Sequence, residues 1–196
     1  AVPCAVAAIV TPGILLLTMA ATAQGTAISV AMDMTEGIIA RFRTMPIARA
    51  SVLTGHVLGS VIQAALAVVF VLAVELALGF RPDASAVEWL AVAGFAVLVA
   101  FALAWLCVAL GLASKSVETA SNTPMFLLLL PFLGSGFVPT DSMPAGLRWF
   151  AEHQPFTPMT ETLRGLLSGT PIGTDGIAAV AWCVVIALGS YLWARR

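Results

Sequence analysis

The stretch D-M-T-E-G-I-I-A-R-F-R-T-M-P-I-A-R (residues 33–49) separates two long apolar runs and differs from every other connector in the chain. It has two acids near its start and three arginines further on. Apolar residues recur within it at helical steps of four, four and three, so they would share one helix face. These residues are Met34, Ile38, Phe42 and Met45. The pattern predicts a short amphipathic helix that lies along a membrane surface.

The polar residues of this stretch suit the two ends of such a helix. Asp33 can cap its start, and Glu36, three residues later, can complete a capping box. Arginines towards the end suit the helix macrodipole, and Pro46 would end the helix. With the apolar stripe held against the membrane, Asp33, Glu36, Arg41 and Arg43 are left to face a partner.

The composition of the whole chain is that of a membrane protein. Of the 196 residues, 60% are hydrophobic and 10% are charged, and the mean hydropathy is +1.02. Soluble domains are about half apolar and about a quarter charged. The formal net charge of −1 gives no reason to expect a nucleic acid partner.

Five apolar stretches are long enough to cross a bilayer, since about 20 helical residues span its hydrocarbon core. The sequence therefore predicts an all-α polytopic membrane protein that forms a single domain over residues 1–196. The predicted spans are residues 4–31, 52–80, 89–113, 120–138 and 177–193.

The basic residues predict the orientation of these spans. Connectors 32–51 and 114–119 and the C-terminus would share one side, which holds six of the nine basic residues. Loop 32–51 and the C-terminus are therefore expected in the cytoplasm of a cell or bacterial inner membrane. Ala1 is then expected outside, which indicates a six-span parent protein whose first span is missing from this chain.

Residues 139–176 are too long for a hairpin turn and too apolar for a free loop. Thr157 and Pro158 are typical of a helix start, and Ser168 and Gly169 of a helix stop, so 158–168 is predicted to be a short helix. Pro144 can start another helix, which would run through Trp149. Two short external helices that dip back towards the bilayer satisfy the pattern; an interfacial aromatic belt without a gating role is the alternative.

Prolines and glycines interrupt the fourth predicted span and the segment that follows it. A kinked helix that leads into a re-entrant element would suit an external gate, and a static bend would look the same in sequence. The residues assigned to this gate or lid are Pro131, Gly134, Gly136, Pro139, Pro144, Pro155, Pro158 and Arg164.

Three polar residues lie within predicted spans. Glu75 is expected to reach the interface or to pair with Arg81, and a role in a substrate path is the alternative. Gln24 and Gln63 favour interhelical hydrogen bonds over ligand contact. The sequence contains no phosphate loop, no HExxH motif and no catalytic constellation, so neither an enzyme nor a bound cofactor or metal is expected in this chain.

Two segments resemble a known family. M-D-M-T-E-G-I-I-A-R-F-R-T-M-P-I-A-R-A-S-V-L (residues 32–53) resembles the first cytoplasmic loop of ABC-2-type permeases, and most closely the drug-resistance subgroup typified by the daunorubicin exporter permease. F-V-P-T-D-S-M-P-A-G-L-R-W-F-A-E-H-Q-P-F-T-P-M-T-E-T-L-R-G-L-L-S-G (residues 137–169) is similar to the external segment of that family. The positions that match the loop pattern are Asp33, Gly37, Arg41, Arg43, Pro46 and Arg49.

The resemblance implies that residues 33–49 are a coupling helix, which seats in a separate ATP-binding subunit that holds ATP and magnesium. It also implies a second permease copy, with a homodimer expected, and export of amphipathic drugs, lipids or glycolipids. The first span of the family is absent from this chain. The alternative hypothesis is a non-transporting membrane scaffold or immunity-type protein that uses the same loop as an anchor.

Overall fold

The computed structural model describes residues 2–35, 49–82, 84–137 and 144–195. Within these ranges the chain is helical, which confirms the predicted all-α class. The helices are α1 (Val2–Thr35), α2 (Arg49–Ala77), α3 (Ala86–Ala113), α4 (Val117–Asn122), α5 (Met125–Leu133), α6 (Ala145–His153), α7 (Phe156–Ser168) and α8 (Asp175–Ala194).

Four of the described helices are long and apolar enough to cross a membrane. The qualifying segments are Ile9–Thr35 in α1, Val52–Ala77 in α2, Ala86–Ala113 in α3 and Asp175–Ala194 in α8. They correspond to the predicted first, second, third and fifth spans. The first span extends beyond its predicted end, because α1 continues through residues 32–35, which the sequence had placed in the connector.

The predicted fourth span, residues 120–138, is not a single helix in the structure. It consists of the short helices α4 and α5, which are separated by a turn at Thr123 and Pro124. Pro124 has no backbone N–H and cannot continue the hydrogen-bond pattern of α4. Consequently, neither piece alone reaches the length of a membrane span.

The two short helices nevertheless run side by side with α1 in the opposite direction. Near one end, the Gln24 side chain donates to the Ser121 carbonyl oxygen at 2.8 Å. Near the other end, Gly13 lies directly against the backbone of Gly136. Together α4, α5 and the following turn thus line α1 between residues 13 and 24.

The bundle is organised around α3, which packs against α1, α2 and α8. Its residues Val99, Leu103 and Cys107 are fully buried. We call the end of the bundle at Thr35, Arg49 and Ala113 the loop end, and the end at Ala77 and Ala86 the opposite end. The short helices α6 and α7 precede α8 at the opposite end.

The start of α3 illustrates a signal that the span prediction missed. Ser85 caps the helix: its backbone N–H donates to Glu88 Oε2 at 2.6 Å, and the Glu88 N–H donates to Ser85 Oγ at 3.4 Å. This reciprocal pair is a capping box. The helix therefore begins at Ala86 rather than at the predicted residue 89.

Both short helices predicted before the last span are present, with shifted bounds. Helix α7 begins at Phe156, two residues before its predicted start, and Thr157 is not its cap, because the Thr157 hydroxyl donates to the Ala151 carbonyl oxygen at 2.5 Å. Gly169 ends α7 as predicted, in the left-handed conformation (φ 62°) that glycine adopts without a steric penalty. Helix α6 continues beyond Trp149 to His153.

Helix α7 is part of the main hydrophobic core. Its side chains Phe156, Met159 and Leu163 are at most 1% exposed. They belong to the same buried cluster as Leu15 and Leu16 of α1 and as residues of α3 and α8. Helix α7 is therefore packed into the bundle.

Candidate functional site

A contact between an aspartate and a histidine ties the ends of α1 and α2 together at the loop end. Asp33 lies in the last turn of α1, and its Oδ2 atom is 2.8 Å from Nε2 of His56 in α2. An acid at a helix C-terminus opposes the helix dipole, and the imidazole offsets that cost when it donates or is protonated. The two helix ends that bracket the amphipathic segment are thus held against each other.

This contact corrects one prediction about the amphipathic segment. Asp33 does not cap the start of a helix, because α1 continues past it to Thr35. Its carboxylate is engaged with His56 through Oδ2. Arg49 is the first residue of α2. The remaining predicted coupling residues, Glu36, Gly37, Arg41, Arg43 and Pro46, lie outside the described residues.

A polar groove of about 660 Å³ lies between α1 and α2 beside this contact. Its wall contains hydroxyl, imidazole and amide groups, which are costly in a membrane unless they meet water or another polar partner. The lining residues are Gly25, Thr26, Ser29, Val52, Gly55, His56, Gly59, Ser60 and Gln63.

The two glutamines predicted within spans therefore have different surroundings. Gln24 is engaged with α4 through its hydrogen bond to Ser121, whereas Gln63 lines the polar groove.

The glycines Gly55 and Gly59 of α2 have open space around them, since a Cβ atom on either would meet nothing within 4 Å. The face of α2 that carries this G-x-x-x-G pattern is consequently not covered by any described part of the chain.

At the opposite end, α6 and α7 form a hairpin whose tip contacts α5. Gln154, between the two helices, donates from Nε2 to the Leu130 carbonyl oxygen at 3.1 Å. Gly134 makes this approach possible, because a Cβ atom there would overlap the Gln154 amide and lie 2.9 Å from the Thr157 hydroxyl. The tip also contains Pro155, and Pro158 lies in the first turn of α7.

Arg164 fastens α7 to two other elements. One Nη atom donates to the carbonyl oxygen of Ser135 at 2.7 Å and to that of Ile9 at 3.3 Å, and the other pairs with Glu161 at 2.6 Å. The guanidinium group therefore connects α7 with α1 and with the turn that follows α5.

The structure brings most of the predicted gate residues together around this hairpin. Pro131 is buried within α5, and Gly136 lies between Gly13 and Pro131. Pro144 is exposed at the start of α6 and is separate from the others. Pro139 lies outside the described residues. Sequence reasoning missed Gln154, although an amide within an apolar segment is a usable signal.

Replacing Arg164 by Gln is expected to loosen α7. The substitution removes charged hydrogen bonds to two carbonyl oxygens, of which the partly buried one to Ser135 matters more than the exposed one to Ile9. A hydrogen bond to a charged group contributes about 1.5–3 kcal/mol. We expect faster hydrogen–deuterium exchange in α7 and in residues 134–137. The matched control is Arg81→Gln, which removes an exposed arginine at the same end of the bundle. Equal exchange in both variants would contradict this role of Arg164.

Glu75 does not pair with Arg81, and none of the ion pairs among the described residues includes it. Oε2 of Glu75 is buried without a hydrogen-bond partner. The described residues also contain no group of three or more His, Cys, Asp or Glu side chains placed to hold a metal ion.

Comparison with known proteins finds a family match for most of the chain. The model of the family described as "ABC-2 type transporter" matches residues 5–167, which is most of the chain. No solved structure matches the chain.

Curated relatives carry drug-resistance names. The chain is 28% identical over 160 residues to the daunorubicin resistance ABC transporter permease protein DrrB1 of Streptomyces coeruleorubidus. This alignment covers 81% of this chain and 56% of the relative. It is 25% identical over 174 residues to the probable doxorubicin resistance ABC transporter permease protein DrrC of Mycobacterium tuberculosis. This second alignment covers 87% of this chain and 63% of the relative. The chain thus spans less than two thirds of the length of each.

Proposed function

Because this chain belongs to the ABC-2 type transporter family, we propose that it is the membrane part of a permease subunit in an ATP-driven exporter. The observation that carries the proposal is the family match over residues 5–167, together with the four long apolar helices of the described chain. The polar groove and the α6–α7 hairpin, at opposite ends of the bundle, then suit the two ends of a transport path.

The proposal assigns ATP hydrolysis to a separate ATP-binding subunit, which would hold ATP and magnesium. That subunit would bind the segment between Thr35 and Arg49, with this segment and the C-terminus on the cytoplasmic side of the cell membrane. The Asp33–His56 contact supports a coupling role for the segment. Since it links α1 to α2, a displacement of the segment would move both helices together.

The substrates would be amphipathic drugs, lipids or glycolipids. This assignment rests on the names of the relatives, which refer to daunorubicin and doxorubicin resistance. Two permease copies would enclose the path between them. The uncovered face of α2 with Gly55 and Gly59 is available for contact with another helix, because small residues allow backbones to approach closely in lipid.

The α6–α7 hairpin would act as a re-entrant external lid. Its helices are short, and its tip is held by hydrogen bonds to carbonyl oxygens at Leu130 and, through Arg164, at Ser135 and Ile9. Because α7 is packed into the hydrophobic core, opening would displace the tip and α6 and would leave α7 in place.

The proposal is tested with the full-length protein and its candidate ATP-binding subunit. We expect the two to co-purify, and inverted membrane vesicles that contain both to accumulate fluorescent amphiphiles when ATP is added. A variant of the ATP-binding subunit without its phosphate-loop lysine is the control. Failure to co-purify, together with uptake that is independent of ATP, would favour a non-transporting scaffold.

A further inference from the structure

A half-buried acid, Glu75, lies on the packed face of α2 near the opposite end of the bundle, and its Oε2 atom is shielded from solvent. Glu75 follows the fully or largely buried residues Val57, Ala64 and Val68 at steps of seven, four and seven, which places all four on one helix face. The carboxyl group is therefore directed towards the helix interface. An acid that extends along the helix surface to reach water would lie on the outer face instead.

One oxygen of this carboxyl group, Oε2, is shielded from solvent and has no hydrogen-bond partner. The hydroxyl of Thr11, in α1, is its neighbour. Neither Thr11 Oγ1 nor Glu75 Oε2 has a hydrogen-bond partner, and Thr11 is only 1% exposed. An ionised carboxylate is costly to bury unless it is paired, and no ion pair within the described residues supplies that partner.

An apolar cleft of about 360 Å³ extends along the turns of α2 that flank Glu75, and its lining does not include Glu75 or Thr11. It lies between α2 and α3, and Met19 of α1 forms part of its floor. Leu72 and Leu76, which lie three residues before and one residue after Glu75, line the cleft from α2. Trp89 and Ala93 line it from α3. The cleft is large enough for a small organic molecule.

We propose that Glu75 and Thr11, together with the apolar cleft between α2 and α3, form a binding site for an amphipathic cation. The apolar body of the ligand lies in the cleft, and its positive charge approaches the Glu75 carboxylate. The inference rests on the proposed export function, to which it adds a site and a charge preference. A neutral or anionic amphiphile would fill the cleft and leave the carboxylate unpaired.

The test uses the full-length protein in dodecyl maltoside, an uncharged detergent, and two probes of matched shape and opposite charge. Tetraphenylphosphonium is a lipophilic cation, and tetraphenylborate is the corresponding anion. Binding is measured by equilibrium dialysis without ATP or a partner subunit. We expect Glu75→Gln to weaken the binding of the cation at least tenfold, while Glu75→Asp retains most of it.

Two further variants separate the site from general effects. Glu152→Gln removes an exposed acid at the same end and is expected to leave binding unchanged, because Glu152 belongs to an exposed pair with Arg148. Ala93→Phe fills the exposed cleft and is expected to lower the affinity for the cation even if Glu75→Gln fails to fold.

Three results would overturn the proposal. They are the absence of cation binding to the unmodified protein, unchanged cation binding in a folded Glu75→Gln variant or in Ala93→Phe, and an equal loss of cation and anion binding in Glu75→Gln. Because the measurement needs neither ATP nor a partner, any of these can occur while ATP-driven export is intact. The site can therefore fail without the proposed function failing.

Discussion

Simultaneous replacement of Glu36, Gly37 and Arg41, by Ala, Leu and Ala respectively, is expected to reduce ATP-driven export at least tenfold while the membrane helices remain folded. The three residues lie in the polar segment that connects α1 to α2, and the proposal places this segment against the ATP-binding subunit. Losing an arginine and an acid at such a contact leaves their partners unpaired, at a cost of about 2–5 kcal/mol for a buried charged pair.

The measurement combines co-purification of the ATP-binding subunit with efflux from cells. Lys115→Ala is the matched control, because Lys115 is an exposed basic residue in the connector between α3 and α4, at the same end of the bundle. Unchanged co-purification and full ATP-dependent efflux in the triple variant would show that this segment does not couple the permease to the ATP-binding subunit.

Gly111→Leu is expected to cause the largest loss of folding stability of any single substitution discussed here. A Cβ atom on Gly111 would lie 2.7 Å from the Ala27 carbonyl oxygen and 3.2 Å from Val30 Cβ. Because the obstructing oxygen belongs to the backbone of α1, the clash is relieved only if α1 and α3 move apart. Overpacking of this kind costs about 1–3 kcal/mol, and more when a backbone must shift.

The stability comparison uses Gly94→Leu, another substitution in α3. A Cβ atom on Gly94 meets nothing within 4 Å. We expect Gly94→Leu to remain monodisperse after heating in detergent at temperatures that aggregate Gly111→Leu, and Gly111→Ala to fall between them. Equal thermal stability of the two leucine variants would show that the α1–α3 contact is not tight.

These glycines show how far sequence patterns predict helix packing. Gly55, Gly59, Gly94 and Gly111 look alike in the sequence, since each is a small residue within an apolar run. Only Gly111 lies against another helix of the described chain, whereas the other three have open space around them. The residue type permits close approach in lipid, but the neighbour is determined by how the helices are arranged.

The prediction of a continuous fourth span was wrong for a related reason. Pro124 and Pro131 were visible in the sequence, and they were interpreted as a kink or a static bend within one continuous helix. The structure interrupts the helix at Pro124 and tolerates Pro131 within α5. Whether a proline breaks a membrane helix depends on which neighbouring groups satisfy the freed carbonyl oxygens, and those neighbours come from distant parts of the chain.

The sequence by itself determined the all-α membrane class, the four long apolar helices, and the helix stop at Gly169. A long apolar run in a bilayer must form a helix, since its backbone groups have to be hydrogen-bonded within the same segment. A glycine that ends a helix acts over only a few neighbouring residues, so it can also be recognised in the sequence. Only the tertiary structure decided the Asp33–His56 pair, the contacts of Arg164 and the position of Glu75 beside Thr11 of α1. Each of these joins groups far apart in the sequence, and the Arg164 contacts end on backbone carbonyl oxygens, which every residue carries and no sequence pattern marks.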